Sequence, residues 1–278
     1  MTENHNKLNH STAKDRIKNG ISNGFNPERT LVIDGDILIY KVAAQVEKPI
    51  DWGNDLWTLH GDMEEAKTKL ADTITYYELT LLAKHIVIAL GAKDSFRKEI
   101  CSDYKANRKK IRKPVVYAPL RKWVEDNYKC YIKPKLEGDD VVGILATADI
   151  IKGDKVILSS DKDLKTIPTQ HWFLGDDDYT NISEEEANYN HMIQTLTGDQ
   201  VDNIKGCPTV GEVKAKRILA PHMHSYKDMW KAVVDTFKKN GLSEKVALKE
   251  ARLTRILRSS DYDFKTEKPI LWSPPARR

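Results

Sequence analysis

Short apolar segments alternate with longer segments of helical periodicity over the first two thirds of the chain. Five of the apolar segments are predicted strands, at residues 31–33, 85–90, 130–132, 155–160 and 171–174. Between them, apolar residues recur with helical spacing, which predicts helices at residues 37–46, 63–83, 120–128 and 137–148. Residues 47–61 show no sustained period and predict a loop. Strands that alternate with helices indicate an α/β fold with a mainly parallel central sheet.

The pattern changes after Gly175, where almost only helices are predicted. Their ranges are residues 183–194, a turn around 201, 213–219, 226–239 and 243–257, followed by a tail that packs back through aromatic residues. At the other end, residues 1–28 are rich in Asn, Lys, His and Ser and predict a flexible tail. The predicted organisation is therefore a tail at 1–28, an α/β core at 29–180 and a helical region at 181–278.

Composition argues against a membrane-spanning or secreted chain. No apolar run approaches the roughly 20 residues that a membrane span needs, and the polar N-terminus lacks the apolar core of a signal peptide. The three cysteines, Cys101, Cys130 and Cys207, are scattered and form no pair at metal-knuckle spacing. These features predict a cytoplasmic protein with reduced thiols and no membrane partner.

Basic residues are concentrated in one segment. The net charge is +4, but residues 97–122 contain ten basic and two acidic residues. Such a separation of bases from acids favours a polyanionic substrate that is brought to an acidic metal site. If residues 104–110 are helical, Lys105, Arg108 and Lys109 share one face and could neutralise a phosphate, while Tyr104 could stack on a base. The simpler alternative is a solvated, charged helix.

Acidic residues occur where the predicted elements begin or end. Their positions are Asp34 and Asp161 after strands, Glu137, Asp139 and Asp140 at a helix start, Asp163 two residues beyond Asp161, and Asp199 with Asp202. Any one of them could be a cap or turn residue. Because the carboxyl ends of parallel strands meet at one edge of a sheet, the set as a whole indicates a site there. Oxygen ligands without histidine favour Mg²⁺ or Mn²⁺, and a set this large suggests two ions, as in phosphodiester hydrolysis.

Residues 206–215 form a second candidate phosphate site. Gly206 and Gly211 stand in a short turn between predicted helices, where backbone N–H groups can approach a phosphate at a helix N-terminus. Taken alone, this spacing indicates no more than a tight turn. Its position directly after Asp199 and Asp202 favours the functional interpretation.

These pieces, in this order, resemble the 5′-nucleases of the flap endonuclease superfamily, nearest to the T7-type bacteriophage branch. The matching segments are 33–36 (Ile-Asp-Gly-Asp), 104–108 (Tyr-Lys-Ala-Asn-Arg), 136–140 (Leu-Glu-Gly-Asp-Asp), 161–163 (Asp-Lys-Asp), 197–202, 206–215 and the ending at 255–272. The resemblance covers about residues 30–272. It implies a PIN-like 5′-nuclease core with a basic helical arch near 95–118 and a helix-hairpin-helix at 199–219.

The resemblance also implies a function and a set of site residues. The activity would be metal-dependent 5′→3′ exonuclease, flap endonuclease and RNase H-like primer removal on DNA with 5′ ends, flaps or nicks and on RNA–DNA hybrids, beside replication proteins in the cytoplasm of a phage host. One Mg²⁺ or Mn²⁺ ion would be held by Asp34, Glu137, Asp139, Asp140 and Asp161, and a second by Asp161, Asp163, Asp199 and Asp202. Lys105 and Arg108 would be catalytic at the scissile phosphate, and K⁺ would bind at the helix-hairpin-helix. The remaining DNA-binding residues would be Tyr104, Lys109, Lys110, Arg112, Lys113, Gly206, Val210, Gly211 and Lys214.

One departure and two alternatives remain open from the sequence. Family members usually carry another acid just after the second strand, but this chain has Leu90-Gly91-Ala92-Lys93, and its nearest acid is Asp94, which is left out of the ligand set. A PIN-type RNase would share the acid-lined sheet, and a non-catalytic DNA-end binder would share the overall shape. The basic segment and the glycine turn disfavour the first, and the nearly complete set of acids disfavours the second.

Overall fold

The computed structural model describes residues 28–110, 112–175 and 178–275, so the predicted tail at 1–28 lies outside the described residues except for Glu28. The strands are β1 (Thr30–Asp34), β2 (Glu47–Asp51), β3 (Trp57–Gly61), β4 (His85–Ala89), β5 (Cys130–Tyr131), β6 (Lys155–Ser159), β7 (Gln170–Phe173), β8 (Asp178–Asn181), β9 (Tyr262–Asp263) and β10 (Lys268–Pro269). The α-helices are α1 (Gly35–Val46), α2 (Met63–Thr80), α3 (Arg97–Ile100), α4 (Tyr117–Asn127), α5 (Gly138–Thr147), α6 (Glu184–Thr197), α7 (Glu212–Leu219), α8 (Tyr226–Lys239) and α9 (Glu244–Thr254). Among these helices, none is long and apolar enough to cross a membrane.

The central sheet has six strands in the order β5-β4-β1-β6-β7-β8. The first five strands are parallel, and β8 is antiparallel to β7. Successive side chains of β1 point to opposite faces: Leu31 and Ile33 pack with α1, α2 and α4, whereas Val32 packs with α5. The prediction of a mainly parallel α/β core is therefore confirmed. Burial on both faces explains why β1 is a continuous apolar run.

Three strand regions were missed by the sequence patterns. Residues 47–61, predicted as a loop, form the antiparallel hairpin β2–β3, in which most side chains are exposed on both faces. A strand pair without a buried face produces no alternation of apolar and polar residues, so its period is invisible. The short strands β8, β9 and β10 also fall in or next to the region that was predicted to be mainly helical.

The helices after β8 enclose a separate apolar cluster. Its buried members from α6, α8 and α9 include Leu196, Phe237 and Ala247, and Trp272 from the C-terminal segment packs against them. The predicted helices at 213–219, 226–239 and 243–257 are confirmed to within a few residues. The predicted helical turn around 201 is wrong, because Asp199 pairs with Ile204 in an isolated antiparallel bridge.

A fully buried histidine joins these helices. His191 on α6 lies 2.9 Å from the carbonyl oxygen of Ala251 through Nε2, and 3.0 Å from the hydroxyl of Tyr226 through Nδ1. The carbonyl can only accept, so Nε2 carries the proton and Nδ1 accepts from Tyr226. Tyr226 in turn accepts from the indole N–H of Trp272 at 2.9 Å. Burial, with the charges of Arg255 and Arg258, holds the pKa of His191 well below its ordinary value.

The depressed pKa of His191 predicts a pH dependence of stability. As pH falls below the unfolded-state pKa of about 6.5, only the unfolded chain takes up the proton, so the stabilising contribution of this histidine is complete above that pH and is lost as pH falls. Relative to His191→Gln, the unfolding free energy of the wild type should drop by about 1.4 kcal/mol per pH unit between roughly pH 6 and 5. Urea titrations of both proteins at several pH values measure this, and a difference independent of pH would contradict it.

Candidate active site

A cavity of about 930 Å³ opens at the carboxyl ends of β1 and β6. Seven of the eight predicted metal ligands line it, together with one acid that was not predicted, Asp36. The lining acids are Asp34, Asp36, Glu137, Asp139, Asp161, Asp163, Asp199 and Asp202. A second cavity, of about 770 Å³, shares Glu137, Asp139, Asp161, Asp163, Asp199 and Asp202, so these carboxylates stand between two openings. The acids at the ends of strands and the starts of helices therefore lie around one cavity, as the sequence predicts.

Local bonding fixes the strand-end acids. Asp34 ends β1, caps α1 by accepting from the Ile37 N–H at 3.2 Å, and accepts from the Ser159 hydroxyl at 2.8 Å. Ser159 ends the neighbouring strand β6 and also receives the Asp161 N–H at 3.0 Å. Asp161 then caps the following 3₁₀ turn by accepting from the Asp163 N–H at 2.8 Å. Adjacent parallel strands therefore hold Asp34 and Asp161 side by side.

Positive charge compensates one part of the cluster. Glu137, which caps α5, accepts from Lys105 at 2.6 Å, from the Tyr104 hydroxyl at 2.7 Å and from Arg97 at 3.0 Å. Burial raises the pKa of Glu137, but the charges of Arg97 and Lys105 outweigh it and hold this pKa below its ordinary value. Asp202 is paired with Lys105 at 3.4 Å and also with Arg108.

In the other part of the cluster, burial and repulsion between carboxylates outweigh the positive charge of the protein, which reaches Asp139 only through the more distant Lys105. Burial, with the charges of Asp36 and Asp161, raises the pKa of Asp34 to about 7. Burial, with the charges of Asp34 and Asp161, also raises the pKa of Asp139, and burial with neighbouring acids raises that of Asp163 to about 6. Carboxylates that repel one another in this way are stabilised by a bound cation.

The donor set fits a hard divalent cation. All the candidate ligands are carboxylate oxygens, which Mg²⁺ and Mn²⁺ prefer. Within the described residues, no group of three or more His, Cys, Asp or Glu side chains is already arranged to hold a metal ion. Lys105 pairs with Glu137, and Arg108 pairs with Asp202.

Asp140 is a correction to the predicted ligand set. It is fully buried and accepts two hydrogen bonds from the guanidinium of Arg97, at 2.7 and 2.8 Å, and one from the Leu257 N–H at 3.1 Å. Arg97 uses its remaining N–H groups on Glu137 and on the carbonyl oxygens of Leu253 and Arg255. Asp140 therefore faces away from the cavity and anchors α5 through this arginine.

Removing the arginine should strongly destabilise the fold. Arg97→Met would leave the buried Asp140 without its countercharge, which should cost about 3–5 kcal/mol of unfolding free energy. Arg97→Met combined with Asp140→Asn removes the stranded charge and should recover part of this loss. Urea unfolding of the three proteins measures the effect, and a loss below about 1 kcal/mol for Arg97→Met would show that the pair is not structural.

The basic segment, for which the resemblance implied a helical arch near 95–118, contains only short helical pieces in its described part. It contains the four-residue helix α3 and a 3₁₀ turn at Ala106–Lys110, and Lys105 has a positive φ of 55°. The segment packs onto the loop that carries Asp202. The Lys105 N–H donates to the Asp202 carbonyl oxygen at 2.9 Å, and Asn203 donates to the Asp103 carbonyl oxygen at 2.7 Å. Because of this packing, Lys105 and Arg108 reach the carboxylates.

Other residues predicted to bind DNA in this segment differ in accessibility. Tyr104 is buried, and its hydroxyl contacts Glu137 and Asp202, so it orients carboxylates and its ring is not free to stack on a base. Arg112 is exposed and pairs with Glu47, while Lys113 lines the cavity. The side chains of Lys109 and Lys110 lie outside the described part of the structure.

The glycine turn also needs correction. Gly206 has a φ of +63°, and an added Cβ would lie 2.4 Å from the Gly198 nitrogen. Its N–H donates to the buried Glu250 at 3.0 Å, so this glycine is structural and does not offer its N–H to a phosphate. The Val210 side chain is buried in the apolar cluster of the C-terminal helices. The predicted helix-hairpin-helix at 199–219 contains one helix, α7, because α6 ends at Thr197.

The N-terminus of α7 remains the accessible part of this turn. Gly211 is exposed and precedes α7, and no side chain caps that helix. Lys214, in its first turn, bonds the Thr209 carbonyl oxygen at 3.2 Å. Of the four residues predicted here, Gly211 and Lys214 thus keep the geometry that a phosphate contact needs.

Sequence reasoning missed Asp36 and the structural role of Arg97. Asp36 was present in the Asp-Gly-Asp motif, two residues from Asp34, but the helical pattern gave no sign that it turns back to the cavity. The alternative acid Asp94 is exposed and lies 3.8 Å from Lys98, outside the residues that line the cavity. The loop after β4 therefore contributes no acid to the lining of the cavity among the described residues.

Comparison with known proteins identifies the class of enzyme to which this fold and its acidic cavity belong. The chain belongs to the 5′–3′ exonuclease family, since the family model for the 5′-3′ exonuclease, N-terminal resolvase-like domain, matches residues 29–196. It is therefore a nuclease of the exonuclease and flap endonuclease type, and the family is metal-dependent and acts on DNA.

Individual proteins of this kind resemble the chain in sequence or in fold. The chain is 30% identical to an exonuclease of Escherichia phage T7, with 90% of this chain and 95% of that protein covered. It is 27% identical to the flap endonuclease Xni of Shewanella oneidensis, with 68% and 73% covered. In fold, it resembles the phage T5 5′-exonuclease with bound divalent metal ions (zinc), with a TM-score of 0.62 at 15% identity and with 81% and 89% of the two chains covered.

Proposed function

We propose that this nuclease is a 5′→3′ exonuclease that also cuts 5′ flaps and removes RNA primers paired to DNA, with Mg²⁺ or Mn²⁺ as cofactor. The observation that carries the proposal is the meeting of seven predicted acids in one cavity, with cationic side chains on one side of it. The clustered carboxylates can bind metal ions, and the cationic side chains beside them can bind the phosphates of a nucleic acid.

The residues divide into two ligand groups. Asp34, Glu137, Asp139 and Asp161 would hold one ion, and Asp161, Asp163, Asp199 and Asp202 would hold the other. Such ions activate water and stabilise the charge that develops on the phosphate and the leaving oxygen. The raised pKa values of Asp34 and Asp139 support a bound cation at this position, because burial and neighbouring acids raise the pKa of Asp139 by more than the charge of Lys105 lowers it.

Lys105 and Arg108 would provide positive charge at the scissile phosphate. Both now pair with Glu137 or Asp202, which are among the proposed ligands. With a cation held by those carboxylates, the two cationic side chains would be available to a phosphate oxygen. The protein thereby keeps both cations within reach of the reacting group.

Duplex DNA would lie along the surface formed by α7 and the exposed basic residues. Gly211 and Lys214 at the N-terminus of α7 would contact backbone phosphates, K⁺ would bind at this turn, and Lys113 would contact the strand at the cavity. The proposed setting is the cytoplasm of a phage host, beside replication proteins. Two acids of the cavity, Asp199 and Asp202, come from the region after α6, which favours this proposal over a PIN-type RNase.

A comparison of substrates tests the function. A 5′-flap, a nicked duplex and an RNA–DNA hybrid, each labelled at the 5′ end, are incubated with the protein in Mg²⁺ or in EDTA. Short 5′ products in Mg²⁺, and none in EDTA, are expected for all three substrates. Cleavage that continues in EDTA, or no cleavage of these substrates in Mg²⁺, would contradict the proposal.

A further inference from the structure

A closed ring of hydrogen bonds joins Asp36, Gly91 and Arg121 at the edge of the cavity. Asp36 Oδ2 accepts from the Gly91 N–H at 2.7 Å. The Gly91 carbonyl oxygen accepts from Arg121 at 2.7 Å, and a second Arg121 nitrogen donates to Asp36 Oδ1 at 2.8 Å. The N–H and the carbonyl oxygen of Gly91 are thus bonded by Asp36 of α1 and Arg121 of α4, respectively.

The ring requires a close approach of Asp36 to the end of β4. A Cβ added at Gly91 would lie 2.9 Å from Asp36 Oδ2, and a Cβ added at Gly138 would lie at the same distance from that atom. The carboxylate therefore occupies the space that side chains at residues 91 and 138 would need. Glycine at both positions lets a residue of α1 reach across to β4 and to the start of α5.

The ring is also connected to the end of the basic segment. The Tyr117 hydroxyl donates to Asp36 Oδ1 at 3.1 Å, and burial raises the pKa of Tyr117 to about 12, so this donor stays protonated. Tyr117 is the first residue of α4. The Lys113 ammonium lies 4.2 Å from the centre of the Tyr117 ring. Asp36 thereby contacts the residues that place a cavity-lining lysine.

We infer that Asp36 is a positioning residue, which fixes the start of α4, and with it Lys113, at the β4 end of the carboxylate cavity through Arg121 and Tyr117. Its carboxylate is neutralised by Arg121, and its oxygens already accept three hydrogen bonds, which disfavours a role as a metal ligand. The inference rests on the proposed nuclease function, since Lys113 would then guide the strand whose phosphate is cleaved. The effect should therefore appear in the rate of cleavage of bound substrate.

The test uses the full chain with Asp36→Asn, Arg121→Gln and the double variant. Glu125→Gln is the matched control, because Glu125 bonds the Arg121 Nε at 3.0 Å from outside the ring. Each single variant should lower the single-turnover rate on saturating 5′-flap DNA by about tenfold or more, without a comparable rise in KM. The double variant should lose no more than either single variant, because both changes break the same ring. The control should cleave at the wild-type rate.

Two readouts do not depend on cleavage. Mn²⁺ binding, measured by electron paramagnetic resonance, should keep its wild-type affinity within about twofold in both single variants, as expected when Arg121 and not a metal holds Asp36. Hydrogen exchange of the peptide that contains Gly91 should accelerate equally in both single variants. Either change disturbs the arrangement in which the Asp36 carboxylate accepts from the Gly91 N–H.

The outcomes separate the proposals. Weakened Mn²⁺ binding in Asp36→Asn alone would make Asp36 a ligand and overturn the inference, as would unchanged rates or additive losses. If the wild type fails to cut flap DNA in Mg²⁺, the proposed function fails. The ring is then judged by exchange alone: equal acceleration in both variants supports it, and unchanged exchange overturns it.

Discussion

Asp161→Asn is expected to abolish cleavage while leaving DNA binding almost intact. Asp161 stands at the end of β6, in both proposed ligand groups, and its charge contributes to the raised pKa values of Asp34, Asp139 and Asp163. Replacing it with an amide removes a shared oxygen ligand without changing the size of the side chain. The single-turnover rate in Mg²⁺ should fall on the order of 10³-fold, the scale at which electrostatic groups at a reacting centre act. Asp139→Asn should behave in the same way.

The measurement combines rapid-quench cleavage of 5′-flap DNA, DNA affinity in Ca²⁺, and Mn²⁺ binding. Asp235→Asn is a matched control, because Asp235 is an acid on α8 that pairs with Lys231 at 2.8 Å and does not line the cavity. The control should retain wild-type values in all three measurements. Full activity of Asp161→Asn in Mg²⁺ would remove Asp161 from the proposed ligands.

Lys105→Ala is expected to slow the chemical step by about 10²-fold and to change duplex affinity much less. The Lys105 ammonium lies 2.6 Å from Glu137 and 3.4 Å from Asp202, so this one cation pairs with two of the proposed ligands. Alanine would remove the charge that compensates the developing phosphate charge. Glu137 keeps Arg97 and Tyr104 as partners, so the fold around it should survive.

Lys98→Ala is the control for Lys105. Lys98 belongs to the same basic segment but lies 3.8 Å from the exposed Asp94, outside the cavity. Single-turnover rates on 5′-flap DNA, with binding measured separately, distinguish the two lysines. A rate for Lys105→Ala equal to that of Lys98→Ala would exclude Lys105 from catalysis.

The positions of site residues could be predicted from the sequence where local patterns and the topology of the sheet determine them. Asp34 and Asp161 could be placed together because each follows a buried strand, and the ends of neighbouring parallel strands coincide. Glu137 and Asp139 followed from the helix start after β5. The spacing of acids along the chain therefore predicted most of the carboxylates that line the cavity.

Contacts between distant segments could not be predicted from spacing. Asp140 shares the motif of Glu137 and Asp139, but the Arg97 guanidinium draws it to the other side of α5. Tyr104 looked like a stacking residue and is instead buried against carboxylates. Gly206 looked like a phosphate contact, and its N–H is taken by Glu250. In each case the deciding partner lies at least 30 residues away, where periodicity carries no information.

The bonds from Arg97 to the carbonyl oxygens of Leu253 and Arg255 span 156 and 158 residues. A ribosome makes the chain from its N-terminus, so a nascent polypeptide that already contains β1, β4 and β6 still lacks these acceptors, and for much of its synthesis also lacks Asp199 and Asp202. The buried Asp140–Arg97 pair can therefore reach its final bonding only when translation has passed residue 255. A nascent chain that has not yet reached residue 255 therefore holds Arg97 without two of the acceptors that fix it in the folded protein.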